Sequence, residues 1–247
     1  MKLVFLGTNG WYDTETGNGI CTLLETSSYY IVFDAGNGIH KLDRYVKEDK
    51  PVYLLISHLH LDHVCGLHIL GKFKFSKGLT ICVGSRDLDS FKALVNTPYT
   101  MPVEQLPYEI RVLSIPDEVE AIPFPLDWRY LRHSVPTLGF RVKIDDKVVV
   151  YCPDTGYCEE AVELAKGADL LLAECAYLPG ETDERWPHLN PESAAKLARE
   201  AGVKRLVLTH FDASRYLSME DRIRAEEVAK SVFPNTLAAR DDLVLES

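Results

Sequence analysis

The sequence predicts an α/β fold in which two β-sheets pack together and helices lie outside them. Two observations predict it: short apolar segments are numerous in the first two thirds of the chain, and segments with helical periodicity are spread throughout. The 247 residues are 46% hydrophobic and 26% charged, which is ordinary for a globular protein. Because no stretch resembles a linker or a low-complexity run, residues 1–247 are expected to form one domain.

The strand candidates are short, several alternate or are rich in Val, Ile and Tyr, and all are far below the roughly 20 apolar residues of a membrane span. They are 2–6, 20–25, 29–34, 52–57, 79–83, 109–114, 129–133, 138–143, 147–152, 169–174, 205–209 and 242–246. Asp145 and Asp146 separate two of these segments, which predicts a hairpin turn.

The helix candidates lie between or after these strands. They are 36–47, 62–72, 86–95, 157–166, 190–201 and 219–232. The helix from residue 190 has the clearest limits, because Asn190 suits the N-cap, Pro191 suits the first helical position, and Gly202 ends the pattern.

The net charge of −10 argues against a protein that binds DNA or RNA through general basicity. The six cysteines are scattered without a CxxC pair, and the N-terminal segment lacks the length and cleavage pattern of a signal peptide. We therefore expect a cytoplasmic protein with reduced thiols, no membrane association and no tight nucleic-acid binding. A homodimer is compatible with the sequence.

Three histidines and an aspartate follow directly on the apolar segment 52–56. They are His58, His60, Asp62 and His63. In α/β sheets, loops at the C-terminal ends of strands gather ligands, and imidazole and carboxylate bind Zn²⁺, Mn²⁺ or Fe²⁺ well. In an extended stretch His58 and His60 point the same way, whereas Asp62 and His63 turn into the next helix and can face a second position. The pattern favours a metal site over a solvated His-rich loop.

Two metals need more than four ligands, and three other strand ends offer them. His133 ends the strand-like segment 128–133, Asp154 follows the strand 148–152, and His210 follows the strand 205–209. Each of these residues alone is equally well explained as an ordinary turn or strand end. Together with the first four they form a consistent pattern.

This set, in this order, resembles the metallo-β-lactamase superfamily of hydrolases, and the resemblance includes the VFDAGNG stretch at 32–38. It implies the four-layer αβ/βα sandwich of the metallo-β-lactamase fold, with the site along one edge where the sheets meet. It implies two divalent metal ions, zinc first, with manganese or iron as alternatives. The implied ligands are His58, His60 and His133 for the first metal, and Asp62, His63 and His210 for the second, with Asp154 bridging both.

Within the superfamily the chain is similar to the ribonuclease Z and cyclic-phosphate phosphodiesterase branch. The similar segments are LGTNG at 6–10, HSVPTLGFRV at 133–142, YCPDTG at 151–156, and a C-terminal third with Glu174-Cys175, His188 and LVLTHF at 206–211. In that branch the histidine before the helix contributes to the catalytic step, which implies a catalytic role for His188. Asp62 is expected to orient the attacking water, and Glu174 to hydrogen-bond a ligand or orient His188.

Two features depart from ribonuclease Z. The segment between His133 and Asp154 has room for two strands and a turn, but not for the long arm with which those enzymes grip tRNA. Leu61 stands where ribonuclease Z usually has glycine. Both departures disfavour tRNA 3′ processing, and the chain also lacks the clustered cysteines of the additional zinc site in the well-known cyclic-phosphate enzyme.

The sequence therefore favours a dinuclear metal-dependent phosphodiesterase acting on a small-molecule or nucleotide phosphodiester, including a cyclic one or a nucleic-acid end. The alternatives are a hydrolase of a lactone, thioester, β-lactam or other ester on the same scaffold, ribonuclease Z-like RNA processing, and a noncatalytic binding protein. His188 and the short segment after His133 favour the first, and the complete ligand set argues against the last.

Overall fold

The computed structural model describes residues 1–246. In chain order, the strands are β1 (Lys2–Gly7), β2 (Asn9–Gly10), β3 (Cys21–Glu25), β4 (Tyr30–Phe33), β5 (Val52–Leu55), β6 (Leu79–Gly84), β7 (Ile110–Ile115), β8 (Leu126–Leu131), β9 (Thr137–Ile144), β10 (Lys147–Cys152), β11 (Leu170–Glu174), β12 (Leu206–Thr209), β13 (Phe211–Asp212), β14 (Thr236–Ala238) and β15 (Val244–Glu246). The α-helices are α1 (Leu61–Val64), α2 (Leu88–Leu94), α3 (Glu159–Ala165), α4 (Pro191–Ala201) and α5 (Met219–Val232). The 3₁₀ helices are Asn37–Arg44, Cys65–Lys72, Val103–Gln105 and Val119–Ala121. Across residues 1–246, no helix has the length and apolar character needed to cross a membrane.

The strands form two main sheets and one small one. The first has the order β15–β1–β3–β4–β5–β6–β7, the second has the order β14–β12–β11–β10–β9–β8, and β2 pairs with β13. Strands β4 to β7 run parallel to one another, and so do β10, β11, β12 and β14. Parallel strands with both faces covered are apolar throughout, and β4 and β11 are accordingly buried along their whole length.

Apolar side chains alternate between the two faces of each sheet. In β1, Phe5 faces the space between the sheets and Val4 faces outward. Between the sheets, Phe33 of β4 packs on Tyr151 of β10 with ring centroids 5.0 Å apart. The 3₁₀ helices Asn37–Arg44 and Cys65–Lys72 cover the outer face of the first sheet, and α3, α4 and α5 cover that of the second. The resulting order of helix, sheet, sheet and helix confirms the four-layer sandwich.

Most predicted elements are present within a few residues of their expected limits. In α4, the Asn190 side chain accepts a hydrogen bond from the Ser193 N–H, and Gly202 ends the helix in the left-handed conformation with φ of 63°. Asp145 and Asp146 are also left-handed, with φ of 50° and 57°, as a two-residue hairpin turn between β9 and β10 requires.

The predicted helix 62–72 is instead two elements, α1 and the 3₁₀ helix Cys65–Lys72. The His63 carbonyl accepts a hydrogen bond from the Ala35 N–H at 2.7 Å, and the Ala35 carbonyl accepts one from the Gly66 N–H at 2.8 Å. These bonds tie the segment to the end of β4. The His63 carbonyl therefore accepts a hydrogen bond from a residue outside the helix, and the α-helical hydrogen-bond pattern ends there.

The predicted strand 129–133 begins and ends earlier than expected, as β8. Pro136 has no N–H to donate, so the ladder between β8 and β9 ends where Leu131 lies opposite Thr137. His133 therefore lies beyond the strand, in a bend. The correction matters because a bend lets this histidine turn toward the other sheet.

Three short strands and the type of one helix were not predicted. Strands β2, β13 and β14 span only two or three residues, too few for a periodic pattern. The predicted helix 36–47 is a 3₁₀ helix over Asn37–Arg44. Gly38 in this helix packs directly on the backbone of Gly7, where an added Cβ would be 2.6 Å from the Gly7 nitrogen.

Four strands end near the same edge of the sandwich, and this edge positions the site. Strand β5 of the first sheet leads into the segment with His58, while β10, β11 and β12 of the second lead to Asp154, Cys175 and His210. A hydrogen bond from the Leu138 N–H to the Ser57 carbonyl, 2.9 Å long, links the two sheets there.

Candidate metal centre

The segment after β5 brings its four polar side chains together. His58 and His60 have ring centroids 4.6 Å apart, as alternate positions of an extended chain allow. Asp62 and His63 lie on α1, and His63 is fully buried. His60 is half-buried, so its ring remains accessible from outside.

The other three side chains reach the same place from the second sheet. His133 comes from the bend after β8, Asp154 from the turn after β10, and His210 from the junction of β12 and β13. His210 has a left-handed φ of 53°, which turns its side chain out of the strand direction. Its ring lies against Gly10, where an added Cβ would be 2.5 Å from His210 Cε1. Glycine at position 10 therefore makes room for this imidazole.

The seven side chains form two groups, each with potential ligand atoms within 4.8 Å of one another. They are His58, His60, His133 and Asp154 in the first group, and Asp62, His63 and His210 in the second. Asp154 stands between the groups: its Oδ1 is 3.1 Å from Nε2 of both His63 and His210, and its Oδ2 is 3.7 Å from His133 Nε2. The structure thus brings together all seven residues that the sequence analysis selected.

Several of these atoms lack the partners that buried polar atoms normally have. Among residues 1–246, His58 Nε2 and Asp154 Oδ1 are buried without a hydrogen-bond partner, because the two imidazole nitrogens near Asp154 Oδ1 do not have hydrogen-bonding geometry. The Nε2 atoms of His63 and His210 face each other at 3.1 Å. A cation between such atoms would satisfy them, because imidazole nitrogens and carboxylate oxygens are electron-pair donors. The residues present therefore fit the divalent ions that the resemblance implies.

The electrostatics of the site agree with this fit. Burial lowers the pKa of His133 to about 4, and burial together with the neighbouring His63 lowers the pKa of His58. Both rings are therefore neutral at pH 7, the form that binds metals. Burial opposes the ionisation of Asp62, but the imidazoles of His63 and His210 outweigh it and hold the pKa of Asp62 well below its usual range. The charged carboxylates require positive charge beside them, from protonated imidazoles or from metal ions.

Asp34, at the end of β4, is a supporting residue that the sequence analysis did not single out. Its Oδ2 accepts hydrogen bonds from His63 Nδ1 at 2.8 Å, the Tyr151 hydroxyl at 2.7 Å and the Ser57 hydroxyl at 2.9 Å. The bond from His63 assigns the proton to Nδ1 and leaves Nε2 free to face the metal groups. The available signal was an aspartate at the end of an apolar strand, in the VFDAGNG stretch.

Glu174, the last residue of β11, makes the contact with His188 that the sequence analysis considered. Its Oε1 lies 2.7 Å from His188 Nδ1 and accepts a hydrogen bond from the Thr155 N–H, and its Oε2 accepts one from the Ala176 N–H. Burial disfavours the charged form of His188, but the Glu174 carboxylate outweighs it and raises the pKa of His188 to about 9. The His188 ring is 5.1 Å from that of His133, so this pair lies beside the first group.

A cleft of about 690 Å³ opens onto both groups and onto His188. Trp11, Tyr177, Trp186 and Arg215 form part of its wall. A small organic molecule can therefore reach the polar side chains from solvent.

The remaining histidines and the cysteines are outside the two groups. His40 Nδ1 contacts the Asn37 carbonyl at 2.7 Å, and His68 Nδ1 contacts the Cys65 carbonyl at 2.5 Å. All six cysteines are free thiols, as expected from their scattered positions.

A four-layer sandwich with two His/Asp groups at one edge defines a class of proteins, the hydrolases that depend on divalent metal ions. The family described as "Beta-lactamase superfamily domain" matches residues 29–211. The chain belongs to this superfamily, which confirms the resemblance seen in the sequence, and it is a metal-dependent hydrolase.

Individual relatives agree with this assignment. The chain is 26% identical to the probable metallo-hydrolase YhfI of Bacillus subtilis, over 94% of each protein, and the crystal structure of YhfI matches with a TM-score of 0.80. It is 28% identical to ribonuclease Z of Geobacillus kaustophilus, over 98% of this chain and 97% of that protein. The crystal structure of human tRNase Z, short form, shares the fold, with a TM-score of 0.72 and 23% identity over 100% of this chain and 99% of that one.

Proposed function

We propose that the protein is a dinuclear phosphodiesterase that hydrolyses a small-molecule or nucleotide phosphodiester. Zinc is the first expectation for both ions, with manganese or iron as alternatives. In this proposal His58, His60 and His133 hold one ion and Asp62, His63 and His210 hold the other, with Asp154 between them.

The observation that carries the proposal is the Glu174–His188 pair beside the metal groups. Glu174 engages Nδ1 of His188, which leaves Nε2 as the nitrogen available to a substrate in the cleft. Hydrolysis of a phosphodiester expels an alkoxide, which leaves more readily when an acid protonates it. The relatives named ribonuclease Z support a phosphodiester as the bond that is cleaved.

When bound, two divalent ions supply an activated water and neutralise charge on the phosphoryl group. The protein's own residues supply orientation and a proton. Asp62 Oδ2 accepts a hydrogen bond from the Trp11 N–H at 2.8 Å and lies 3.3 Å from His210 Nε2, so its carboxylate is fixed where it can orient a water. His188 holds a proton for the leaving oxygen.

A small substrate is favoured over intact tRNA. Strand β9 leads into β10 through the turn at Asp145 and Asp146, so the part of the described chain between His133 and Asp154 contains no arm. RNA processing of the ribonuclease Z type is therefore not the activity we propose.

The proposal is tested with protein loaded with Zn²⁺ or Mn²⁺. We expect hydrolysis of bis(p-nitrophenyl) phosphate to exceed that of a chromogenic lactone and of nitrocefin. Asp154→Ala should abolish hydrolysis and lower the metal content, because Asp154 contacts both groups. Asp89→Ala, which changes an exposed aspartate on α2, is the matched control and should retain both.

Turnover of the lactone or of nitrocefin without turnover of the phosphodiester would overturn the substrate class. Full metal content and normal turnover in Asp154→Ala would overturn the ligand assignment.

A further inference from the structure

We infer that the cleft holds the base of a nucleotide-type phosphodiester against the indole of Trp186. The inference rests on the proposed function and specifies the substrate class of the same site. Three observations carry it: the placement of Trp186, the backbone conformation of Trp11, and the scarcity of positive charge on the cleft wall.

Trp186 packs against two imidazoles of the first group and is still about half exposed. Its ring is 5.8 Å from that of His60 with an angle of 14° between their planes, and 5.7 Å from that of His133 in an edge-on arrangement. Its carbonyl accepts a hydrogen bond from the Tyr177 hydroxyl. Even so, 48% of Trp186 is exposed, on the wall of the cleft. A fixed indole that is still half exposed is a platform on which a planar base can stack.

Trp11 stands beside the second metal group. Its φ of 75° is unfavourable for a bulky side chain, and such conformations concentrate at functional sites. Its N–H donates to Asp62 Oδ2, and its side chain is 65% exposed at the cleft. Trp186 packs on the first group through its ring, whereas Trp11 contacts the second through its backbone N–H and exposes its side chain on the wall of the same cleft.

Apart from His188, whose charge Glu174 offsets, the cleft wall offers little positive charge. Among the described residues of its wall, Arg215 is the one Lys or Arg side chain. Its guanidinium lies 2.5 Å from Asp212 and 3.1 Å from Glu181, so nearby carboxylates offset its charge. A polynucleotide backbone is bound through several cations that neutralise its phosphates. The cleft therefore suits a substrate with few phosphates whose remaining affinity comes from stacking.

Binding of AMP and ribose 5-phosphate to the metal-loaded protein, measured by calorimetry, isolates the contribution of the base. The two ligands share the phosphoribosyl group, so the ratio of their Kd values reports the base alone. We expect AMP to bind about 10-fold more tightly or better, the range for stacking on one aromatic ring. Trp186→Leu should reduce this preference to about 2-fold or less, whereas Trp186→Phe should keep most of it, because a ring remains to stack on.

Tyr99→Ala is the matched control, because it removes an exposed aromatic ring that is not on the cleft wall, and it should leave the preference unchanged. Metal content is measured in every variant, since Trp186 contacts His60 and His133. AMP should also quench the indole fluorescence of the unaltered protein, and ribose 5-phosphate should not.

Equal affinity of the unaltered protein for AMP and ribose 5-phosphate would overturn the inference, whatever the variants do. An undiminished preference in a fully metallated Trp186→Leu variant would also overturn it. Failure of the proposed function is seen separately. If the protein prefers AMP but hydrolyses no phosphodiester, the inference about stacking holds and the proposed function fails. If it hydrolyses phosphodiesters without preferring AMP, the proposed function holds and the inference fails.

Discussion

The contact between Glu174 and His188 supports the proposed role of His188 as a proton donor. The carboxylate is fully buried and receives backbone N–H groups from Thr155 and Ala176, so it cannot move away from the imidazole without leaving these donors unpaired. His188 is therefore held in one orientation with its charged form stabilised. That arrangement suits an acid that remains protonated at neutral pH.

His188→Ala is expected to lower kcat for an alkyl phosphodiester by about 10²–10⁴-fold, the usual range for general acid–base help. The loss should be smaller for bis(p-nitrophenyl) phosphate, because nitrophenolate leaves without a proton. Metal content should not change, since His188 belongs to neither of the two ligand groups. The measurement is kcat for both substrates in one variant, with His68→Ala as the control.

If His188 served only to pack the loop against Trp186 and Pro187, the variant would lose stability and both substrates would suffer alike. An equal loss for the poor and the good leaving group would therefore refute the acid role.

In the Glu174→Gln variant, the fall in kcat that occurs as pH rises is expected to begin at a lower pH. The Glu174 carboxylate helps raise the pKa of His188 to about 9, and removing its charge lowers that pKa. Because His188 is protonated below its pKa, the acid form is then lost earlier as pH rises. The measurement is the pH profile of kcat for an alkyl phosphodiester.

The same substitution in a His188→Ala background supplies the control for Glu174→Gln. It should produce no further shift, since the group that titrates is gone. A shift of equal size in both backgrounds would assign the fall in kcat to another group.

The seven side chains of the two groups were predictable from sequence because each is a metal-type residue in a segment that follows an apolar strand. Asp34 and Trp186 were not. Asp34 is a single aspartate after an apolar strand, and only the fold shows that His63, Tyr151 and Ser57 meet at its carboxylate. Trp186 lies in a loop without periodicity, and its stacking on His60 depends on contacts far apart in the chain.

Among the secondary-structure elements, the short pair of β2 and β13 has the closest connection to the site. It places Gly10 next to Asp212 and sets the backbone of Gly10 against the ring of His210. Two residues per strand give no pattern in the sequence, so the pair could not be predicted. The end of α1 could not be predicted for a related reason. It depends on a hydrogen bond from the Ala35 N–H to the His63 carbonyl, and Ala35 lies in a different part of the chain, after β4.

Gly10→Ala is expected to weaken metal binding at the second group. The added Cβ would lie 2.5 Å from His210 Cε1, so the ring must shift from its position in the second group. We expect a loss of about 10–100-fold in affinity for one ion, the range seen when the support of a metal ligand is altered. The measurement is a competitive chelator titration.

Gly71→Ala is the matched control for Gly10→Ala, because its Cβ would meet only the Met101 and Leu106 side chains, at 3.4 and 3.5 Å. Unchanged affinity for both ions in Gly10→Ala would show that the close approach to His210 has no bearing on the site.

At the scale of the whole molecule, the two features that bear on binding partners are the four-layer fold and the net charge. Two packed sheets with helices outside were predictable because apolar strands and helical segments leave a trace in sequence, whereas the four-layer order was implied by the resemblance to the superfamily. The order of strands within each sheet was not predictable, since it depends on pairings between distant segments. The acidic surface, with a net charge of −10, follows from composition alone and limits the partners the protein can hold.

Intact tRNA is expected to bind weakly at physiological salt. The net charge repels a polyanion, the cleft wall has one arginine that carboxylates already offset, and a two-residue turn joins β9 to β10. The measurement is a fluorescence anisotropy titration with labelled tRNA at several salt concentrations, with human tRNase Z as the positive control. Tight binding with a steep salt dependence and site-specific 3′ cleavage would contradict this expectation.

The pairing of Asn9 with Phe211 has a consequence for biosynthesis. During synthesis, β2 leaves the ribosome long before residue 211 is added. Its pairing with β13 can therefore form only late, and pairing between segments so distant in sequence is slow. His210 sits at that late junction, and without it the second group is incomplete. A nascent polypeptide that ends before residue 210 therefore lacks part of the second ligand group. On the proposed ligand assignment, the second ion can bind only after this late residue has been made.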